Sequence, residues 1–378
     1  MTSKQKIGVG LIGSGFMGKT HALGFATASR VFDLPYDVDL AVLADVTAPA
    51  AARAAQALGF RRSTGDWRDL LDDPEIQIID ITTPNTLHRE MALAAIAAGK
   101  HVYCEKPLAP TSADAWEMTK AAEAAGLMTQ VGFNYLKNPM LGLAKRLIAD
   151  GEIGEIRTFR GIHAEDFMAD ARVPWAWRLD PSGGGGALAD IGSHILATAR
   201  YLVGPVIELM ADIATPIAAR PVSQGATETR AVEVDDVARL FLRFENGATG
   251  SLEANWIATG RKMQHDFEVY GSKGAIVFTQ ERFNELGVYF TDDKTGLRGF
   301  RTIFAGPEHE PYGAFCVASG HQIGFNDLKA IEVRDFLVAV AGGEKLGPDF
   351  AEGAEIQSLV ELAYRSAREK RWVSTKST

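Results

Sequence analysis

Three short clusters in this chain carry side chains suited to moving a hydride and a proton. Gly13-Ser14-Gly15-Phe16-Met17-Gly18 has the spacing of a loop that cradles a dinucleotide pyrophosphate. Lys106, inside Tyr103-Cys104-Glu105-Lys106-Pro107, brings an ammonium that can stabilise a developing alkoxide or carbonyl oxygen. Asp190-Ile191-Gly192-Ser193-His194 offers a carboxylate and an imidazole at a spacing that shares one face of a helix. Near neutral pH, His194 can take a hydroxyl proton as hydride leaves the same carbon. Asp190 can then orient the substrate and hold the lysine and imidazole. Together these residue types point to alcohol oxidation by a nicotinamide.

The glycines have separate jobs. Gly13 permits a tight turn, Gly15 lets backbone amides approach the pyrophosphate, and Gly18 allows close helix–strand packing. The following helix start adds partial positive charge. Asp45 ends the second strand, where a carboxylate accepts hydrogen bonds from ribose hydroxyls. It stands further on than the usual ~20 residues, and Val31 to Asp37, with Pro35 inside, reads as an inserted loop. A carboxylate there repels a 2′-phosphate, and Val46-Thr47-Ala48 supplies no arginine, so NAD is expected rather than NADP. A histidine and an aspartate at helical spacing can also ligate zinc. A third ligand is missing locally and a lysine in the same site would repel the cation, so no metal is expected.

The surrounding pattern must position these groups. Lys6 to Ile12 is a continuous apolar strand, suited to burial on both faces. Helix follows through His21 to Ser29, then strand over Asp39 to Ala44, alanine-rich helix over Ala48 to Leu58 with a Gly59 stop, and a short helix over Ser63 to Leu71. Strands over Ile76 to Ile81, His101 to Cys104 and Met128 to Val131 alternate with helices over Leu87 to Ala98 and Thr111 to Ala125. This is a doubly wound α/β pattern. Beyond it come helix over Met140 to Asp150, strand over Glu155 to His163, a glycine-rich loop, and helix from about Ala189 to Leu202. Val232 to Phe290 alternates as an antiparallel sheet, and helices near Ile331 to Ala341 and Ala354 to Arg368 close the chain. Two domains are expected, 1–132 and 133–378.

At 378 residues there is room for two cores. A net charge of −9 with no concentrated basic patch argues against a nucleic-acid partner. No apolar run approaches a membrane span, and no signal peptide is legible. The two cysteines, Cys104 and Cys316, fit a reducing compartment without disulfides, so the cytoplasm is the expected location.

These motifs, with Gly132-Phe133-Asn134-Tyr135 and Gly184-Gly185-Gly186-Ala187-Leu188-Ala189 before Asp190, resemble the Gfo/Idh/MocA oxidoreductases over nearly the whole chain. The resemblance implies an N-terminal Rossmann domain and a C-terminal α/β domain with an open, mostly antiparallel sheet that pairs subunits into homodimers or homotetramers. It places the catalytic residues at Lys106, Asp190 and His194. Cofactor contacts fall at Gly13, Ser14, Gly15, Phe16, Met17, Asp45, Thr82, Thr83, Pro84, Asn85, His88, Glu105, Lys106, Asn134, Trp177 and Arg178. Lys106, Tyr135, Glu165, Arg178, Asp190, His194 and His321 are expected on the substrate side, His321 from a loop over residues 306–326 suited to folding over the pocket.

Trp175-Ala176-Trp177-Arg178, Gly299-Phe300-Arg301-Thr302 and Gly306-Pro307 are similar to a branch containing levoglucosan and scyllo-inositol/L-glucose dehydrogenases. Glu165-Asp166 stands where levoglucosan enzymes tend to carry Gln-Asp, which leaves room for a free polyol with one more hydroxyl. The expected reaction is oxidation of a secondary ring hydroxyl of a cyclitol or unphosphorylated sugar (scyllo-inositol, L-glucose or similar) by NAD. The alternatives are a levoglucosan or other pyranose 3-dehydrogenase, an NAD-dependent glycosidase, and a non-catalytic sugar-sensing regulator.

Overall fold

The computed structural model describes residues 4–375, which divide into two compact units. Unit 1 begins with β1 (Gln5–Ile12), α1 (Phe16–Val31), β2 (Tyr36–Ala44), α2 (Ala48–Leu58) and β3 (Arg62–Thr64). It continues with β4 (Ile78–Ile81), α3 (His88–Ala97), β5 (His101–Cys104), α4 (Ser112–Ala125) and β6 (Thr129–Val131). The six strands lie in the order β3-β2-β1-β4-β5-β6, every neighbouring pair parallel. That order reverses between β1 and β4, and such reversals place ligands at the carboxyl ends of the strands. Val9, Leu11, Leu43, Ile78, Ile79, Ile81 and Val102 are fully buried, as a sheet covered on both faces requires. Thr47 caps α2 and Thr111 caps α4 through their side-chain oxygens. The helix expected over 63–71 is instead β3 followed by a short 3-10 turn, Trp67–Leu70.

Unit 2 contains α5 (Pro139–Ala149), β7 (Ile156–Ala164), α6 (Ser193–Val203), β8 (Val206–Ala214), β9 (Ala219–Pro221) and β10 (Thr229–Ala231). The strands β11 (Val237–Phe244), β12 (Thr249–Asn255), β13 (Gln264–Gly271), β14 (Gly274–Thr279), β15 (Glu285–Phe290) and β16 (Arg301–Phe304) follow. A nine-stranded sheet runs β16-β15-β14-β13-β7-β12-β11-β8-β17, with β17 at Val373–Ser374. Its pairs are antiparallel except β12 with β7, which is parallel. Along β11, buried Ala238, Leu240, Leu242 and Phe244 face the core, while Arg239, Phe241 and Arg243 face outward.

Near its end the chain returns to unit 1. That unit takes in the described residues through Lys137 and Gly324–Glu355, so α7 (Phe325–Val340) belongs with the parallel sheet and packs on α1. The sequence boundary at 132 assigns this helix to the second domain. Its inward face carries Lys329, Glu332 and Asp335 beside Leu328, Ile331 and Phe336, all buried, and charges at those positions hide the apolar period. The last helix, α8, spans Phe350–Glu369. Among the described residues no helix is long and apolar enough to cross a membrane.

Candidate active site

In unit 1 the glycine loop joins β1 to α1. Gly13 has φ +97°, donates its N–H to Ala44 O at 2.9 Å, and a Cβ there would lie 3.0 Å from Thr82 O. A Cβ on Gly18 would come within 2.1 Å of Gly13 O, so α1 can sit on the loop only through a glycine. Gly15 is different: its φ is −66° and an added Cβ would meet nothing within 4 Å. Neither backbone nor packing demands glycine at 15, whereas a phosphate drawn against the amides would. No side chain caps α1, which leaves its first N–H groups to an anion.

Asp45 stands just past β2 beside this loop. Ser14 Oγ donates to Asp45 Oδ2, and Val46 N donates to Oδ1 at 2.6 Å, fixing the carboxylate. At the end of β4, Thr82 Oγ1 donates to Gly13 O at 2.9 Å and ties that strand to the glycine loop. Thr83 Oγ1 reaches Met91 Sδ at 3.6 Å, and Pro84 leads into a 3-10 turn over Asn85–Leu87. His88 is fully buried, with ring nitrogens 2.9 Å from Thr83 O and 3.0 Å from Pro107 O. Burial pushes its pKa below the ordinary imidazole value. It therefore braces the turns that follow β4 and β5.

Lys106 is half-buried, two residues beyond β5, and its backbone N–H donates to Glu105 Oε2 at 3.1 Å. The Glu105 carboxylate lies in a buried notch that Gly132 makes possible, since a Cβ on Gly132 would sit 2.3 Å from Oε1. Burial alone would raise the Glu105 pKa, but Lys329 and His21 overcome that and hold it well below the carboxylate range. Asn134 is buried, and its Nδ2 has no hydrogen-bond partner among the described residues. Tyr135 is buried with its ring 6.1 Å from Phe325, which also stacks on exposed Phe16 at 6.0 Å. Met17 follows Phe16 in the first turn of α1. The unfilled space over Gly15 and the orphaned Asn134 amide both fit a bound dinucleotide, pyrophosphate at the first and nicotinamide end at the second.

Unit 2 carries the second group. Asp190 lies in a π-helical turn, Leu188–Gly192, that runs directly into α6 and His194. The regular helix expected from about 189 is thus wider at its start, a distortion common at functional sites. Asp235 holds this turn: its Oδ2 accepts Leu188 N–H at 2.7 Å and its backbone oxygen accepts Ala187 N–H at 2.9 Å. Its Oδ1 accepts the Tyr364 hydroxyl at 2.6 Å. Arg178 Nε donates to Asp190 Oδ2 at 3.2 Å, while its guanidinium lies 4.4 Å over the Trp177 ring. Arg178 is thereby placed beside the Asp190 carboxylate, and Trp177 supports it.

His194 is buried, and its ring lies 5.6 Å from that of His163. His163 Nε2 is 3.1 Å from Glu165 Oε1, and its Nδ1 is 3.3 Å from His265 Nδ1. His265 Nε2 in turn meets Thr198 Oγ1 at 3.0 Å, on the helix that bears His194. Burial, then the neighbouring His163, pushes the His265 pKa well below the ordinary value, so this ring stays neutral. Sequence reasoning finds Glu165 but misses His163 and His265. They lie about a hundred residues apart and meet only because β13 pairs with β7 (His265 opposite His163). His321 is exposed on a loop of unit 2. His309 is buried, its Nδ1 accepting Gly306 N–H at 3.0 Å within the same loop. Among the described residues no group of three or more His, Cys, Asp or Glu side chains is arranged to hold a metal ion.

Comparison with known proteins agrees with this division. Residues 7–133 match the family described as "Oxidoreductase family, NAD-binding Rossmann fold", and residues 142–277 match the "GFO/IDH/MocA C-terminal domain". The chain is 41% identical to levoglucosan dehydrogenase of Pseudarthrobacter phenanthrenivorans, covering 98% of each protein. It is 27% identical to myo-inositol 2-dehydrogenase of Thermotoga maritima, covering 97% of each. A solved structure of levoglucosan dehydrogenase in complex with NADH and levoglucosan superposes with a TM-score of 0.94 at 42% identity, covering 98% of this chain and 99% of that one.

Proposed function

The chain belongs to the Gfo/Idh/MocA oxidoreductase family and is an NAD-dependent dehydrogenase of the sugar and cyclitol class, and on that premise we propose that it oxidises a secondary ring hydroxyl of an unphosphorylated pyranose, anhydropyranose or cyclitol. Bound NAD supplies the hydride acceptor. Gly13 to Met17 and the α1 N-terminus would hold its pyrophosphate, Asp45 its adenosine ribose, and Asn134 its nicotinamide end. In the proposed roles, Lys106 stabilises the oxygen that becomes the carbonyl, His194 accepts the hydroxyl proton, and Asp190 orients the substrate. The balance is one alcohol and NAD giving one ketone, NADH and a proton.

The observation that carries the reading is the turn from Asp190 to His194, an imidazole one turn from a carboxylate that Arg178 holds. The 41% identity to levoglucosan dehydrogenase over 98% of the chain supports an anhydropyranose as the first substrate to try. Glu165, anchored on His163, favours hydroxyl donors and disfavours anionic substrates, so a neutral free polyol stands beside it. We further propose that the outward face of the unit 2 sheet joins subunits into a dimer or tetramer. Phe241 is 54% exposed there, beside a groove of about 430 Å³ lined by Arg160, Arg239, Glu253 and Glu268.

The test is a panel of levoglucosan, L-glucose, D-glucose, scyllo-inositol and myo-inositol, each with NAD and NADP, followed by reduced-nicotinamide absorbance. At least one neutral ring polyol should form NADH, with NAD preferred over NADP and sugar phosphates inert. Release of free sugar from glycosides without NADH would favour the glycosidase reading, and tight NAD binding without turnover the regulator.

A further inference from the structure

Beneath the Glu105-Lys106-Pro107 turn, unit 1 buries ionisable side chains from two helices and two strand ends in one contiguous cluster. His21, on α1, places Nδ1 at 2.8 Å from Asp80 Oδ1 and Nε2 at 2.8 Å from Glu105 Oε1. Lys329, on α7, donates to Glu105 Oε1 at 3.1 Å and to Glu332 Oε2 at 2.7 Å. Tyr103 receives Lys329 Nζ at 3.0 Å on its hydroxyl oxygen and donates its own proton to Glu332 Oε2. The Tyr103 ring also lies 4.5 Å from that of His21. All these residues are at most 5% exposed. Helix α7 reaches this position because α1 presents Gly24 to it, where a Cβ would be 3.0 Å from Lys329 Cγ.

Such a cluster costs desolvation that an apolar core would avoid, so its presence asks what it does. An imidazole 2.8 Å from two carboxylates makes both hydrogen bonds as donor only in the imidazolium form, and the two negative charges favour that form where the neutral carbonyls at His88 do not outweigh burial. Two cations, His21 and Lys329, thus converge on Glu105 Oε1, while Glu105 Oε2 accepts the backbone N–H of Lys106. We propose that His21 and Lys329 are positioning residues for hydride transfer: they hold Glu105 as a fixed anion that sets the Lys106 backbone, and His21 does so as a standing imidazolium. The proposal rests on the dehydrogenase reading only for its link to turnover. The charge state of His21 stands apart from it.

The groups facing His21 are Asp80 from β4, Glu105 and Tyr103 from β5 and its end, and Lys329 from α7. Burial opposes its charge, Asp80 favours it, Lys329 opposes it, and the hydrogen bonds to Asp80 and Glu105 tip the balance, so its pKa is raised. A raised pKa contributes stability in full below the ordinary imidazole range, and the contribution disappears as pH rises through the raised value.

Two measurements on the full chain with NAD bound decide the matter. The first is histidine-selective 15N NMR of the wild type at pH 8, above the ordinary imidazole pKa of ~6.5, with His21 assigned by its loss in His21→Asn. Both ring nitrogens should show the protonated signature; one unprotonated nitrogen at that pH would overturn the proposal whatever the enzyme's activity. The second is kinetic, on Lys329→Met. We expect kcat to fall about tenfold or more, with KM for the polyol and the NAD dissociation constant within about threefold, since the loss is in transition-state stabilisation. A folded Lys329→Met with kcat within twofold of wild type would also overturn it. If that variant does not fold, the NMR result decides alone. A wild type that reduces no NAD with any polyol, yet holds an imidazolium at His21, would fail the dehydrogenase reading and leave the cluster assignment standing.

Discussion

Arg178 and Asp190 are joined by a hydrogen bond of 3.2 Å from Nε to Oδ2, twelve residues apart and directly before the helix that carries His194. The arginine is 44% exposed, so the pair adds little to stability. Its consequence is for geometry: one edge of the guanidinium fixes the carboxylate while the Trp177 face supports the other plane. Arg178→Ala should raise KM for the polyol and lower kcat, because a freed Asp190 no longer places the reacting carbon. Arg178→Lys should not restore activity, lacking the planar fork. NAD affinity, measured by fluorescence quenching, should stay within a few-fold. Unchanged kinetics in both variants would remove Arg178 from the site.

Asp235 should matter as much to the turn as Arg178 does to the carboxylate. Asp235→Ala leaves the Leu188 N–H without its acceptor and the Tyr364 hydroxyl with only Gly185 O at 3.5 Å. Each buried group so orphaned costs about 1–3 kcal/mol. A lower denaturation midpoint together with reduced kcat is the expected pair of effects. Full activity in a folded Asp235→Ala protein would show that the π turn holds itself.

The glycine loop separates two requirements that usually travel together. Gly15→Ala adds a Cβ into open space, so the melting temperature should hold while NAD binding weakens on the order of tenfold, about 1.4 kcal/mol. Gly18→Ala forces a Cβ against the Gly13 carbonyl and should cost about 1–3 kcal/mol of stability. Calorimetry and NAD titration of the two variants give the contrast. Equal loss of stability in both would mean that position 15 is a packing glycine.

Much of this was legible in the residues and some was not, for physical reasons. Parallel strands buried on both faces read as apolar runs, and Gly59 and Thr111 punctuate their helices, so the unit 1 order could be followed directly. The first half of α7 could not, because Lys329 and Glu332 occupy its buried face. The parallel pairing of β7 with β12 leaves no local mark, since the partners are far apart in the chain. The spacing of Asp190 and His194 suits a regular helix, and the π turn between them depends on Asp235, beyond any local pattern. The loop that carries His321 is organised by Tyr312, whose hydroxyl donates to Ala318 O and accepts Gln322 N–H, contacts that no local pattern announces.

The outward sheet face gives a prediction about assembly. Phe241→Glu places a charge on β11 between Arg239 and Arg243, at the centre of the proposed contact. Light scattering should show a smaller species than wild type at equal concentration, with the melting temperature of the released subunit lowered. An unchanged mass would move the subunit contact to another surface.

The central claim, that Lys106 acts on the reacting oxygen in NAD-dependent oxidation of a ring hydroxyl, is tested most directly by kcat and NAD affinity of Lys106→Ala on the best polyol of the panel. The account predicts a loss of kcat on the order of a hundredfold or more, with NAD bound within a few-fold of wild type. A variant that keeps more than about a tenth of wild-type kcat, less than ~1.4 kcal/mol of barrier, would contradict it.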